Sequence, residues 1–286
     1  MVIRRAFLNF PKSFLGVLIY FLACGVSEAA TRPPYTEVFY PSGNLSIQAY
    51  LYKPFGDGPF PAVIYNHGSR QGNERRPTPF PYIGNLLTQA GYVAFVVERR
   101  GYGGSDGATI RDEVGNNRRR LVARLQAETD DVLAARDYLL TRSFIDAKRI
   151  GIMGWSFGGI VTMFAVSRSN DFAVAVTQAG GALTWNGNAD IRNALVAAAE
   201  KANTPTLLMV AQNDRTTESI TTVGEIYNRR GVPHRAVIYE AFVPQGAASD
   251  TPPGHRVFSA EGVHVWEKDV LEFLGRYLAI KTTEKN

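Results

Sequence analysis

The residues of this chain with the type and spacing to do chemistry are one serine between glycines and the histidines and aspartates around it. Ser156 lies in Gly154-Trp155-Ser156-Phe157-Gly158, histidines occur at 67, 234, 255 and 264, and Asp190, Asp214 and Asp250 follow the serine. A serine hydroxyl is a poor nucleophile at neutral pH. It needs a base to take its proton, and the base needs an acid to hold its tautomer. A serine, a histidine and an aspartate brought together would perform acyl transfer.

The elements that must position them can be read around the serine. Ile150, Ile152 and Met153 form a short apolar run that reads as a buried strand, and Ile160 to Val166 reads as an apolar helix. Strand, G-x-S-x-G turn and helix are the context of a nucleophile elbow. A strand that turns directly into a helix strains the serine's backbone, and side chains two residues to either side would collide. Glycines at 154 and 158 remove them. The new helix points its free N–H groups at the same place.

Thr36 to Tyr40 and Leu45 to Tyr52 are β-rich runs split by Pro41-Ser42-Gly43-Asn44, a hairpin signal. Strands are expected at 62–65, 92–97, 172–177, 206–210 and 235–239. Helices are expected at 81–90, 128–140, 188–202 and 219–230, with a final helix presenting Val263, Trp266, Val270, Phe273 and Tyr277 as its buried stripe. Strands alternating with helices, the central strands apolar throughout, predict a mostly parallel sheet covered on both faces. About 28 residues separate the strand ending at Thr177 from that starting at Thr206, room for a short lid or none. Ala108 to Gln126, with Arg118-Arg119-Arg120, is the other segment that could cover the site, although a basic run is more often a solvated face.

The elbow, together with R-R-G-Y-G-G-S-D-G at 99–107, D-A-K-R-I-G-I-M-G-W-S-F-G-G at 146–159 and G-H-R-V-F at 254–258 followed by Trp266 and a terminal helix, resembles the α/β-hydrolase superfamily. The branch it looks most like is that of dienelactone hydrolases and prolyl-oligopeptidase-like enzymes. The resemblance spans about Thr36 to Ile280. It implies an α/β-hydrolase fold over 30–286 with little or no cap domain. One departure stands out: dienelactone hydrolases use a cysteine nucleophile, and this chain has Ser156.

Within that fold His67, in an H-G turn, shapes the oxyanion loop. His234 sits at the N-terminal end of the last strand, away from a site built at the strands' C-terminal ends. His255 lies in the loop after the last strand and can swing over Ser156, so it is favoured as base over His264, which opens the final helix. Asp214 follows the penultimate strand, and neither Asp190 nor Asp250 directly follows a strand, so Asp214 is the expected acid. The order Ser156, Asp214, His255 is that of the fold. The tetrahedral intermediate needs two N–H donors, expected from Phe157 and from Ser69 in the loop after Tyr65. Arg70 is a candidate for added charge at the mouth. Trp155, Phe157 and Trp185 are candidates for lining an apolar pocket, though aromatic residues beside an elbow are as often packing.

Composition bounds the rest. The 286 residues are 45% hydrophobic, enough for one domain with a large core. Arg4, Arg5 and Lys12 precede the apolar run Phe14 to Ala23, and Ser27 and Ala29 fit a cut after Ala29. Residues 1–29 therefore read as a secretory signal peptide, since ten apolar residues are too few to span a bilayer. Lipidation at Cys24 is the minor alternative. Cys24 is the only cysteine, so a cut after Ala29 leaves no disulfide. Residues 1–29 carry a net +2 of the chain's +5, which leaves +3 on the mature chain and no argument for a nucleic-acid partner. No histidine–carboxylate cluster has metal-ligand spacing, so no metal or organic cofactor is implied. The expectation is an exported serine hydrolase, periplasmic or secreted, cleaving a small-molecule carboxylic ester through an acyl-enzyme. A peptidase or amidase on the same triad, and a non-catalytic binding protein on the same scaffold, are the alternatives.

Overall fold

A computed structural model describes residues 34–245 and 249–279. The signal-peptide expectation and Cys24 lie outside the described residues. The chain opens on a hairpin, β1 (Thr36–Ser42) and β2 (Leu45–Tyr52), then alternates: β3 (Phe60–Asn66), α1 (Pro81–Gln89), β4 (Val93–Glu98), α2 (Ile110–Val114), α3 (Leu121–Leu140), β5 (Ile145–Trp155) and α4 (Phe157–Arg168). It continues through β6 (Val174–Gln178), α5 (Ala189–Ala199), β7 (Thr206–Ala211), α6 (Glu218–Arg230), β8 (His234–Tyr239) and α7 (Val263–Leu278). Eight strands form one sheet in the order β1-β2-β4-β3-β5-β6-β7-β8. β1 and β2 are antiparallel, as are β2 and β4, and every later pairing is parallel.

Every residue of β4, β6 and β7 is buried, as a parallel sheet covered on both faces requires. The strand order sets the site. After β3 the chain lays β4 on one side of it and then returns to lay β5 on the other. The sheet therefore has its switch point between β3 and β5, and the crevice outside the carboxyl ends of strands at a switch point is where ligands bind in open α/β sheets. β3 runs there into Asn66 to Ser69, and β5 runs into Ser156.

Three features depart from the sequence expectation. α3 starts at Leu121, not near Glu128, because its first turns bury charged residues: Arg124 and Glu128 are buried together as an i,i+4 pair, with Leu121 and Leu125 on the same face. Charged side chains carry no hydrophobic periodicity, so the pattern missed them. In α7 the buried stripe is Trp266, Val270, Phe273, Leu274 and Leu278, while Val263 and Tyr277 are half-buried. The loop after β8 holds a 3₁₀ turn, Pro253–Phe258, that carries His255. No cap domain lies between β6 and β7: the connection is a compact turn and α5, whose first orphan N–H groups are partly met when Asn188 Oδ1 accepts from the Ile191 amide at 3.1 Å. Among the described residues no helix is long and apolar enough to cross a membrane.

Candidate active site

Ser156 ends β5 with φ 57° and ψ −117°, one of few non-glycine residues at positive φ. Such a conformation costs on the order of 1–3 kcal/mol and persists only where its surroundings enforce it. Here they do. The Ser156 amide donates to the Gln178 carbonyl of β6 at 2.8 Å, and the residue caps the N-terminus of α4. A Cβ on Gly154 would overlap the Gly158 carbonyl, and one on Gly158 would overlap the Asn66 carbonyl at the end of β3. The elbow is thus wedged between two strand ends, and only glycines fit at its flanks. Phe157 is the first residue of α4, so its N–H has no partner within the helix.

Asp214 and His255 meet at the same end of the sheet. His255 Nδ1 lies 2.8 Å from Asp214 Oδ2, with both side chains buried. Asp214 Oδ1 accepts from the Arg215 amide at 2.6 Å, which orients the carboxylate. Two devices fix the turn after β7, the first against the histidine's turn and the second against the loop that leads to it. Gly254 packs so closely on Asn213 and Asp214 that a Cβ would strike their backbone. Asn213 ties that turn to the loop after β8, its Nδ2 donating to the Phe242 carbonyl at 2.9 Å and its Oδ1 accepting from the Phe242 amide at 3.0 Å. The His255 ring lies 5.6 Å from that of Trp155.

Ser156, His255, Trp155, Phe157, Gly68 and Ser69 line one cleft of about 740 Å³. All five expected site residues are therefore brought to one end of the sheet, Asp214 behind His255. Asp190 and Asp250 are exposed and take no part, and His264 is exposed on α7. His234 stays at the N-terminal end of β8, its Nδ1 2.9 Å from the Val232 carbonyl oxygen. Trp185 is only 4% exposed and belongs to the core, leaving Trp155 and Phe157 as the aromatic residues of the cleft.

The sequence reading missed a buried charged network under the loop from His67 to Arg70. Arg70 does not present a free charge at the mouth: its guanidinium forks onto the fully buried Glu98, Nη1 donating to Oε1 at 3.1 Å and Nη2 pairing with Oε2. Glu98 Oε1 also accepts from the Thr78 amide at 2.8 Å, and Arg70 donates to the Arg76 and Glu74 carbonyls. On the other side, Arg99 Nη2 donates to the His67 carbonyl at 2.9 Å while its Nε pairs with Glu128 at 2.7 Å. Residues 67 to 70 are thus pinned from both ends by buried ion pairs, and Ser69 is carried between them. Burial pushes the Glu98 carboxyl above the usual range despite Arg70, the Thr78 amide and Arg99. Burial, with Arg99 and Arg70 nearby, pulls the His67 imidazole well below its usual value, so it is neutral, with Nδ1 2.7 Å from the Gly68 carbonyl oxygen. The signal in the sequence was Glu98-Arg99-Arg100 closing an apolar strand, three charges where a buried strand should end.

Comparison with known proteins agrees with this fold. Residues 80–191 match the prolyl oligopeptidase family. Human dipeptidyl peptidase 8 is 32% identical over 174 residues, 56% of this chain and 18% of that protein. The acylaminoacyl peptidase of Pyrococcus horikoshii superposes with a TM-score of 0.66 at 19% identity, over 85% of this chain and 42% of its own. The chain has the α/β-hydrolase fold. Est1E of Butyrivibrio proteoclasticus, with ferulic acid bound, superposes with a TM-score of 0.64 at 16% identity, over 85% of this chain and all of its own. The chain spans only about a fifth of dipeptidyl peptidase 8, and the segment that matches the prolyl oligopeptidase family carries Ser156 but neither Asp214 nor His255.

Proposed function

We propose that this protein, with its α/β-hydrolase fold, is a serine hydrolase that cleaves carboxylic esters through an acyl-enzyme. The observation that carries the reading is the buried His255–Asp214 pair, 2.8 Å apart, on the cleft that also exposes Ser156 at its strained elbow. Asp214 accepts the Nδ1 proton of His255 and so leaves Nε2 free to act as base. Ser156 Oγ attacks the ester carbonyl as Nε2 takes its proton. The negative charge that develops on the carbonyl oxygen is met by the N–H groups of Phe157 and Ser69, and such donors are worth about 10²–10³ in rate each. Protonated His255 then gives its proton to the departing alcohol. Water, deprotonated by the same histidine, releases the acyl group and restores the serine.

The ester reading is supported by the neighbour with ferulic acid bound, which is matched over its whole length. A second reading, peptidase or amidase action on the same triad, is favoured by the prolyl oligopeptidase match and by dipeptidyl peptidase 8. A panel of 4-nitrophenyl esters of rising chain length beside aminoacyl 4-nitroanilides separates them. Ester turnover with no anilide turnover supports the first reading, and faster anilide turnover replaces it with the second. We further propose export, on the basic, apolar and small-residue order of residues 1–29. The protein from its native host should then begin at Ala30. A start at Met1 would overturn this, and a lipidated Cys24 would replace it with a lipoprotein.

A further inference from the structure

A second and larger cleft, about 1000 Å³, adjoins the first and shares Ser69, Gln71, Phe157, Leu183 and Thr184 with it. Its outer wall is α2 and the turn before α3, the segment whose arginines read as a solvated face. Arg111 and Arg118 from that wall and Arg215 from the turn after β7 all line it. Among the described residues, none of these three guanidinium groups has a side-chain hydrogen bond or an ion pair. The arginines behind the site behave differently. Arg70, Arg99, Arg100 and Arg124 are each paired with a carboxylate. Acidic partners are therefore supplied to the structural arginines and withheld from those that face the cleft. One acidic side chain, Glu74, lies on the same lining, buried with Oε1 unpartnered. The cleft thus presents three cations against one anion.

The two clefts have different relations to the chemistry. The leaving alcohol must reach His255, and His255 lines the smaller cleft but not the larger. The larger cleft touches the site through Phe157 and Ser69, the residues that surround the carbonyl oxygen. The leaving group therefore takes the smaller cleft and the acyl chain runs into the larger.

Resting on the serine hydrolase reading, we propose that the acyl portion of the substrate carries a carboxylate several bonds from the scissile carbonyl, and that Arg111, Arg118 and Arg215 bind it. The planar guanidinium fork matches a carboxylate with two parallel hydrogen bonds. The open cleft keeps these groups hydrated, so the gain per pair is modest and falls as salt rises.

The test uses two 4-nitrophenyl esters of adipic acid, one with the distal carboxylate free and one with it capped as the methyl ester. The readout is the ratio of their kcat/KM values within each protein. Wild type should favour the free acid by on the order of tenfold at low salt, a factor equivalent to one charge-assisted contact, and by less at high salt. Arg111→Gln and Arg118→Gln should each lower the ratio, and the double charge reversal Arg111→Glu/Arg118→Glu should bring it below one. Arg215→Gln is compared by the same ratio, which cancels any disturbance of the neighbouring Asp214. A wild-type ratio near one, or a ratio preserved in the double reversal, would overturn the proposal. Turnover of the capped ester, lost in Ser156→Ala, reports separately on the hydrolase reading. With that turnover present the ratio alone decides, and without it both proposals fall.

Discussion

Glu98→Gln tests whether the buried ion pair under the oxyanion loop serves the chemistry or only the fold. Glu98 is fully buried, and its carboxylate meets the Arg70 fork and the Thr78 amide. Glutamine has nearly the same shape and can still accept from Thr78, but it removes the countercharge and turns an NH₂ group toward a guanidinium that is 10% exposed. Breaking a buried pair by removing one partner costs about 3–5 kcal/mol. The retained Thr78 contact, and a Glu98 carboxyl already pushed up by burial, place this case near the lower end of that range. For a domain of this size 1 kcal/mol moves Tm by about 2–4 °C, so a fall of roughly 6–12 °C is expected. Ser69 is the residue before Arg70, and loosening its N–H should cost part of the 10²–10³-fold that a lost oxyanion donor costs, about 10–100-fold in kcat with a smaller change in KM. The assay is thermal unfolding beside ester hydrolysis. Adding Arg70→Met removes the stranded charge and should recover much of the Tm without recovering kcat. A variant with lowered Tm and unchanged kcat would refute the positioning role, and one with neither changed would refute the pair's importance altogether.

The buried His67 gives a pH prediction with a definite sign. Its folded pKa is depressed, so below the unfolded value of about 6.5 the unfolded chain binds a proton that the folded chain does not. Its contribution to stability is complete above that pH and should fall by up to ~1.4 kcal/mol per pH unit below it, a slope that denaturant titrations at pH 8, 6.5 and 5 should show reduced in His67→Gln. Ser156→Gly removes the side chain from a backbone conformation that suits glycine, and should raise stability by about 1 kcal/mol, or 2–4 °C in Tm, while abolishing activity; a lowered Tm would contradict the strain argument. His255→Ala should cost on the order of 10⁶-fold in hydrolysis and add little to Ser156→Ala, because the two act as a unit. His264→Ala, exposed on α7, should change the rate less than twofold, and the reverse pattern in these two variants would reassign the base.

Much of this architecture is legible in the residues because local rules and global fold agree. The hairpin, the apolar strands and the elbow glycines each have a local signature, and the parallel pattern follows from their alternation. His255 and Asp214 are legible by place in the chain, since loops after the last strands reach the same end of the sheet as the elbow. The buried charges are not legible. Arg99, Arg124, Glu128 and Asp131 read as surface by type, yet all are buried, and while Arg124 pairs with Glu128 at i,i+4, Arg99 pairs with Glu128 across 29 residues and Arg100 with Asp131 across 31. Arg70 misled for the same reason, because its partner Glu98 lies 28 residues on. Nor does local sequence show that Trp185 turns into the core, or that the basic segment after β4 forms one wall of a cleft beside Ser156.

The measurement that bears most directly on the central claim is peptide mapping of the protein after reaction with a fluorophosphonate, which traps a serine activated by a histidine. The account predicts one adduct per chain, on Ser156, absent from folded Ser156→Ala and slowed severely in His255→Ala. Stoichiometric labelling of another residue, or none in the folded wild-type protein, would contradict it.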